Sequence, residues 1–276
     1  MPVFCIGAVV RYKASSETAV RQITDAIIST PSLKEAISTS VFTTRWDQLQ
    51  ESHARRLESI SQEARPEADE TYNAAFLAKA ARKICPADTI WVIEAVTNAT
   101  TVASQIQATT PGSWINCGGG GPSWSGGGAL GVKLASDFET NGKGKFVCQI
   151  VGYGTYMFSV PGTVYWIAQR YNIPVLTIVL NNKGWNAPRH SMLLVHPDGE
   201  GSKMSNEELN ISFGPTPDYS GIARAASGGR CWSGIASTAS KLEELLPLAV
   251  KAVQSGKCAV LDAHLGDSLE KFDMES

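Results

Sequence analysis

The chain has 276 residues, 43% of them hydrophobic, enough to bury a substantial core, which excludes a disordered or fibrous protein. A net charge of −2 leaves no basic excess to hold nucleic acid or an anionic membrane, so a small molecule is the expected ligand. No apolar run approaches the ~18 residues of a membrane span, the start lacks a signal-peptide stretch, and six cysteines without a CxxC pair fit reduced thiols, so a cytoplasmic location is expected.

Residues 3–13 form a short apolar segment, after which Ser15 or Ser16 caps a periodic stretch (Val20, Ile23, Ile27, Ile28) that reads as an amphipathic helix. Residues 44–64 are strongly polar with a helical spread of charge, a solvated or interface helix ending before Arg65-Pro66. Residues 1–68 therefore read as an appendage and 69–276 as the main domain. From Glu70 the pattern alternates: helix to 84, strand 89–94, helix from Thr97, a glycine-rich stretch over 118–128 and a helix through Leu134. Strand 146–151, a loop, helix 163–171 and strand 175–180 follow, then helices 219–226 and 241–254 and strand 259–265. Strands alternating with helices predict an α/β fold, a doubly wound parallel sheet with helices on both faces and ligands at the carboxyl ends of its strands.

Glycines and asparagines gather at those ends in three stretches, residues 117–128, 151–155 and 180–185. Glycine lets backbone N–H groups surround phosphate oxygens, so the three together suggest a diphosphate cradle; tight turns between packed elements are the alternative for any one alone. Gly126, Gly128 and Gly131 also match GxGxxG, which would make a dinucleotide-binding oxidoreductase. That fingerprint needs a strand directly before it and an acid at the end of the next strand, and the strand ending near Val151 offers none. The run Gly121-Pro-Ser-Trp-Ser125 lacks the second glycine of a nucleophile elbow, which argues against a serine hydrolase.

Gly152-Tyr-Gly154, followed after a helix and a strand by Asn181-Asn182, resembles the GDG…NN signature of thiamine diphosphate enzymes. The flanks agree: SWSGGGALGVKLA at 123–135, RYNIP at 170–174, NNKGW at 181–185 and LLVHP at 193–197. Residues 70–266 thus resemble the diphosphate-binding domain of the acetolactate synthase, benzoylformate decarboxylase and pyruvate decarboxylase superfamily. The resemblance implies thiamine diphosphate held with Mg²⁺, a 2-oxo acid or aldehyde substrate, and either a homo-oligomer or a partner carrying the pyrimidine-binding domain. Carried onto this chain, the metal positions are Tyr153, Asn182 and the carbonyl of Gly184. Gly152, Gly154 and Thr155 would meet the diphosphate, Gly118, Gly119, Gly120, Ser123 and Trp124 would approach the diphosphate or pyrimidine side, and Trp185 would form a wall.

Two departures stand beside the match. Tyr153 replaces the metal-binding aspartate, and a phenol is a poor ligand for Mg²⁺, which puts the metal in doubt; Lys183 or Arg189 would be the cations to offset phosphate charge, or else are solvated loop residues. The family's activating glutamate belongs to a pyrimidine domain that has no counterpart here, residues 3–30 resembling only the tail of the middle domain. No catalytic residue is assigned, and His190 and His196 are candidates for a pocket wall. Three readings stay open: the diphosphate-binding part of a split carboligase or decarboxylase, a degenerate homologue or non-catalytic partner subunit, and, remotely, the oxidoreductase. In the first two, Trp124 and Trp185 are expected on an exposed apolar face.

Overall fold

Residues 12–117 and 121–266 are described by a computed structural model, in which the chain divides into two units between Glu58 and Ser59. The first unit is helical: α1 (Ser16–Ser29), α2 (Pro31–Ile37) and most of α3 (Ser40–Glu63). Ser15 caps α1, its side chain accepting from the Thr18 amide at 3.5 Å, and Pro31 opens α2 where a missing N–H is harmless. No residue between 12 and 58 is buried. The segment 3–11 lies outside the described residues.

The second unit runs α4 (Ala74–Ile84), β1 (Ile90–Glu94), α5 (Ala99–Ile106), β2 (Trp114–Asn116), α6 (Trp124–Glu139) and β3 (Val147–Gly152). It continues with α7 (Tyr153–Phe158), α8 (Pro161–Arg170), β4 (Leu176–Asn181), α9 (Asn186–Val195), α10 (Tyr219–Ala226), β5 (Trp232–Ala236), α11 (Ala239–Gln254) and β6 (Ala259–His264). The strands form one sheet of order β2-β1-β3-β4-β6-β5, parallel throughout.

Successive strand residues point to opposite faces, and in this sheet both faces are covered, which is why the strands read as unbroken apolar runs. Ile93, Ile150, Ile178 and Leu261 pack beneath α4, α5 and α11 with Leu77, Val102, Leu242 and Leu246. Their neighbours Val92, Val151, Val179 and Val260 pack beneath α6, α8 and α10 with Leu130, Tyr165 and Tyr219. From β1 the chain turns one way to β2 and then crosses back to β3 on the other side. The carboxyl ends of β1 and β3 therefore flank a topological switch point, where a crevice opens.

Several expectations are corrected. The glycine-rich stretch is not a loop to its end: α6 begins at Trp124, so Gly126, Gly127, Gly128 and Gly131 are helical. Two of them are small for packing: a Cβ at Gly126 would come within 2.7 Å of the Ser159 Cβ and one at Gly128 within 2.5 Å of the Trp124 ring, whereas Gly127 and Gly131 have open space there. A dinucleotide turn is thereby removed. The expected loop after β3 is instead α7, α9 fills part of the segment after Asn182, and β2 and β5 add two strands that the sequence pattern does not announce.

Candidate functional site

Glu94, Gly152 and Asn181 end β1, β3 and β4, and among these ends lies a cavity of about 520 Å³. Gly152, Tyr153, Gly154 and Thr155 line it from the start of α7, and Asn182, Gly184 and Trp185 line it from the loop after β4. On the α6 side its wall is Cys117 and Pro122; Ser123 and Trp124 stand just beyond, at the start of α6, and Gly118, Gly119 and Gly120 lie outside the described residues. His190 sits within α9 and His196 caps it, and neither lines the cavity. Trp124 and Trp185 are half-buried rather than exposed, because the first folds over Gly128 and the second over Gly154.

The loop after β4 is held from below. Asn181 is fully buried and donates through Nδ2 to Asp262 Oδ1 at 3.1 Å and Thr216 Oγ1 at 3.2 Å, while its Oδ1 accepts from the Lys183 amide at 3.3 Å. Lys183 adopts a left-handed φ of 60°, and the loop then bridges to residues 211–213, with the Trp185 amide donating to Ile211 O at 2.8 Å and the Phe213 amide to Lys183 O at 2.9 Å. The first asparagine is thus a strut, and the second is left half-buried on the cavity wall.

Tyr153 is 4% exposed, and its ring leaves the position of a metal ligand to join an aromatic cluster. It meets Phe213 edge-on at 4.8 Å between centroids, Trp185 at 5.8 Å and Tyr219 at 6.0 Å, and Trp185 also contacts Phe158 and Phe213. Gly154 is required here, because any Cβ would strike the Trp185 ring lying on its backbone. The Tyr153 hydroxyl is buried without a hydrogen-bond partner. Burial, chiefly, and the neighbouring Tyr219 push its pKa well above the ordinary value, so the phenol is neutral at physiological pH.

Glu94 is the residue that sequence reasoning passed over. It is 5% exposed at the end of β1, and its two carboxylate oxygens accept from the amides of Ser123 at 2.9 Å and Ser125 at 2.8 Å, capping the start of α6. The clamp holds Ser123 at a φ of 119°, which only glycine adopts freely. Beneath it, Gln149 donates to Ser125 Oγ at 2.7 Å and accepts from Thr177 Oγ1 at 2.8 Å, a buried polar chain across β3 and β4. The one signal available in the sequence was a single acid closing an otherwise apolar strand.

Glu94 is also the one charged side chain among the described residues lining the cavity. Lys183 is exposed, and Arg189 is turned away, its Nη1 donating to Met204 O at 3.0 Å and Asn206 Oδ1 at 3.2 Å. Magnesium does not fit: the donor at position 153 is a neutral phenol among rings, and no group of three His, Cys, Asp or Glu side chains among the described residues is placed to hold a metal ion. A flat heteroaromatic ring does fit, since Trp185, Leu180, Pro122 and Pro188 supply apolar walls and Gly152, with open space where a side chain would stand, allows close approach.

The profile of the family described as thiamine pyrophosphate enzyme, C-terminal TPP binding domain, matches residues 95–263. Among solved structures, the chain is similar to benzoylformate decarboxylase from Polynucleobacter necessarius, at a TM-score of 0.60 and 14% identity, covering 72% of this chain and 34% of that one. It is also similar to the thiamine diphosphate-dependent 4-hydroxybenzoylformate decarboxylase of Rhodococcus jostii RHA1, at a TM-score of 0.55 and 20% identity, with the same two coverages of 72% and 34%. The chain spans about a third of the length of these structures.

Proposed function

Because the chain belongs to the thiamine pyrophosphate enzyme family through its C-terminal TPP-binding domain, we propose that it is the diphosphate-binding part of an acetolactate synthase-like or benzoylformate decarboxylase-like carboligase or decarboxylase whose metal anchor has been replaced by an aromatic cluster. The carrying observation is Tyr153, turned into rings where the family has its anionic ligand. When bound, thiamine diphosphate supplies an electron sink for chemistry on a 2-oxo acid or aldehyde. In this chain Gly152, Gly154, Thr155, Asn182 and Gly184 would hold the cofactor's diphosphate end, Gly118, Gly119, Gly120, Ser123 and Trp124 belong to the stretch that would approach its diphosphate or pyrimidine side, and Trp185 would pack against a ring.

Residues 69–276 form the binding domain in this reading, and 1–68 a remnant of a middle domain with its linker. The cavity face meets a second copy of the chain or a pyrimidine-domain partner, and only the latter contributes the activating glutamate. No described helix is long and apolar enough to cross a membrane, in keeping with a cytoplasmic site of action.

Calorimetry with thiamine diphosphate tests the reading: binding is weak and the same with Mg²⁺ or with chelator, whereas Tyr153→Asp tightens it tenfold or more, about 1.4 kcal/mol, in a chelator-sensitive way. Circular dichroism verifies that the variant folds, and Tyr153→Asn controls for loss of the ring. Tight, Mg²⁺-dependent binding by the wild type would refute the replaced anchor. The neutral phenol favours a second reading, a non-catalytic subunit of an intact relative, in which turnover of pyruvate or benzoylformate stays absent even after a pyrimidine-domain protein is added.

A further inference from the structure

We propose that the cavity selects against negative charge, so that it takes an unphosphorylated, cationic heteroaromatic ligand such as thiamine in preference to its diphosphate. This rests on the reading above that the cavity is a thiamine-type site, and it specifies the class of ligand that the site has become suited to.

Three separate features carry it. A diphosphate needs counter-charge, and the lining holds no lysine, arginine or histidine among the described residues; residues 118–120 are all glycine and bring no side-chain charge. The anchor that would bridge protein to phosphate is gone, since Tyr153 lies within the ring cluster and Trp185 covers Gly154.

The third feature is Glu94. The amides at the start of α6 would be the natural anion-binding groups on that side, being unpaired helical donors at the positive end of the dipole. Here they are taken by the chain's own carboxylate, at 2.9 Å to Ser123 and 2.8 Å to Ser125. An incoming phosphate would find these donors occupied and a negative charge already buried beside it, whereas a thiazolium carries the opposite charge and a flat ring for Trp185 and Pro188. The same carboxylate thus repels one end of the family's cofactor and attracts the other.

The experiment titrates the full chain, in chelator, with thiamine, thiamine monophosphate and thiamine diphosphate, following heat and tryptophan fluorescence. Affinity is expected to fall with each phosphate, thiamine binding at least tenfold tighter than the diphosphate. Glu94→Gln, which keeps an acceptor oxygen but removes the charge, should narrow the gap severalfold. Should that variant fail to fold, raising the salt concentration of the wild type serves instead, weakening thiamine binding and strengthening that of the diphosphate. Diphosphate binding as tight as or tighter than thiamine under chelation overturns this proposal while leaving the cavity a thiamine-type site. Failure of all three to bind at millimolar concentration overturns both.

Discussion

Replacing Tyr153 by phenylalanine should stabilise the protein, the opposite of what removing a tyrosine hydroxyl from a core ordinarily does. In this structure the hydroxyl is buried and makes no hydrogen bond, so folding strips its water without return. A buried group of that kind costs about 1–3 kcal/mol. Phenylalanine keeps the ring and its contacts with Phe213, Trp185 and Tyr219, so the whole gain should be expressed. For a unit of this size each kcal/mol moves Tm by about 2–4 °C, so Tyr153→Phe should melt roughly 2–12 °C higher. Tyr72 and Tyr156 are internal controls: their hydroxyls donate to Ala236 O at 2.6 Å and Tyr219 O at 2.8 Å, and the same substitution there should cost about 1 kcal/mol. Calorimetric melting, backed by denaturant curves with unchanged m-values, provides the measurement. A lower Tm for Tyr153→Phe would refute the reasoning, because it would mean that the hydroxyl has a partner, and a metal-bridged or ligand-bridged role for Tyr153 would have to be reconsidered.

Gly154→Ala should destabilise the second unit by about 1–3 kcal/mol, since the new methyl must push Trp185 out of its contacts with Phe158 and Phe213; a blue shift or quenching change in tryptophan emission would report the movement. Glu94→Ala orphans the Ser123 and Ser125 amides and should cost about 3 kcal/mol in urea unfolding. Alkaline pH should unfold the chain cooperatively. Burial pushes the phenols of Tyr72, Tyr153, Tyr156 and Tyr165 up, and that of Tyr219 up to about 12. A raised folded pKa gives stability that is complete below the unfolded value of about 10 and is lost as pH climbs above it, by about 1.4 kcal/mol per pH unit for each phenol. Tyrosinate absorbance should therefore rise together with loss of ellipticity, and ionisation of these tyrosines in a still-folded protein would count against their burial.

The central strands were legible because a sheet covered on both faces writes itself as continuous β-branched and aliphatic runs: expected strands 175–180 and 259–265 differ from β4 and β6 by one residue at their ends. Helix α10 agrees with the expected 219–226, as the aspartate cap and the apolar stripe coincide. The flanking strands were not legible. Trp114–Asn116 is too short to show a period, and Trp232–Ala236 carries a serine and a glycine that depress strand propensity. Helix α7 opens with a residue pair, Tyr153-Gly154, that local propensity assigns to a turn, and it forms because β3 delivers it against Trp185 and Phe213, which lie 32 and 60 residues away. For the same reason the sequence could say that a metal ligand was missing at 153 but not that its replacement turns inward. Glu94 was hidden differently: the Ser123 and Ser125 amides it serves are backbone groups, which leave no trace in the identity of a residue.

The absence of any buried residue between 12 and 58 has a consequence for how this protein will behave in the hands of a protease. Helices of 14 and 7 residues are near or below the length at which an isolated helix holds in water, and Val20, Ile23, Trp46 and Leu49 are more than half exposed, so local opening there is opposed by little more than backbone hydrogen bonds. Amides of β3 and β4, by contrast, are released to solvent only when the whole sheet comes apart. Hydrogen exchange should divide the chain into a segment that deuterates within seconds and one that persists, and brief trypsin treatment should cut among Arg21, Lys34, Arg45, Arg55 and Arg56 while sparing the parallel sheet.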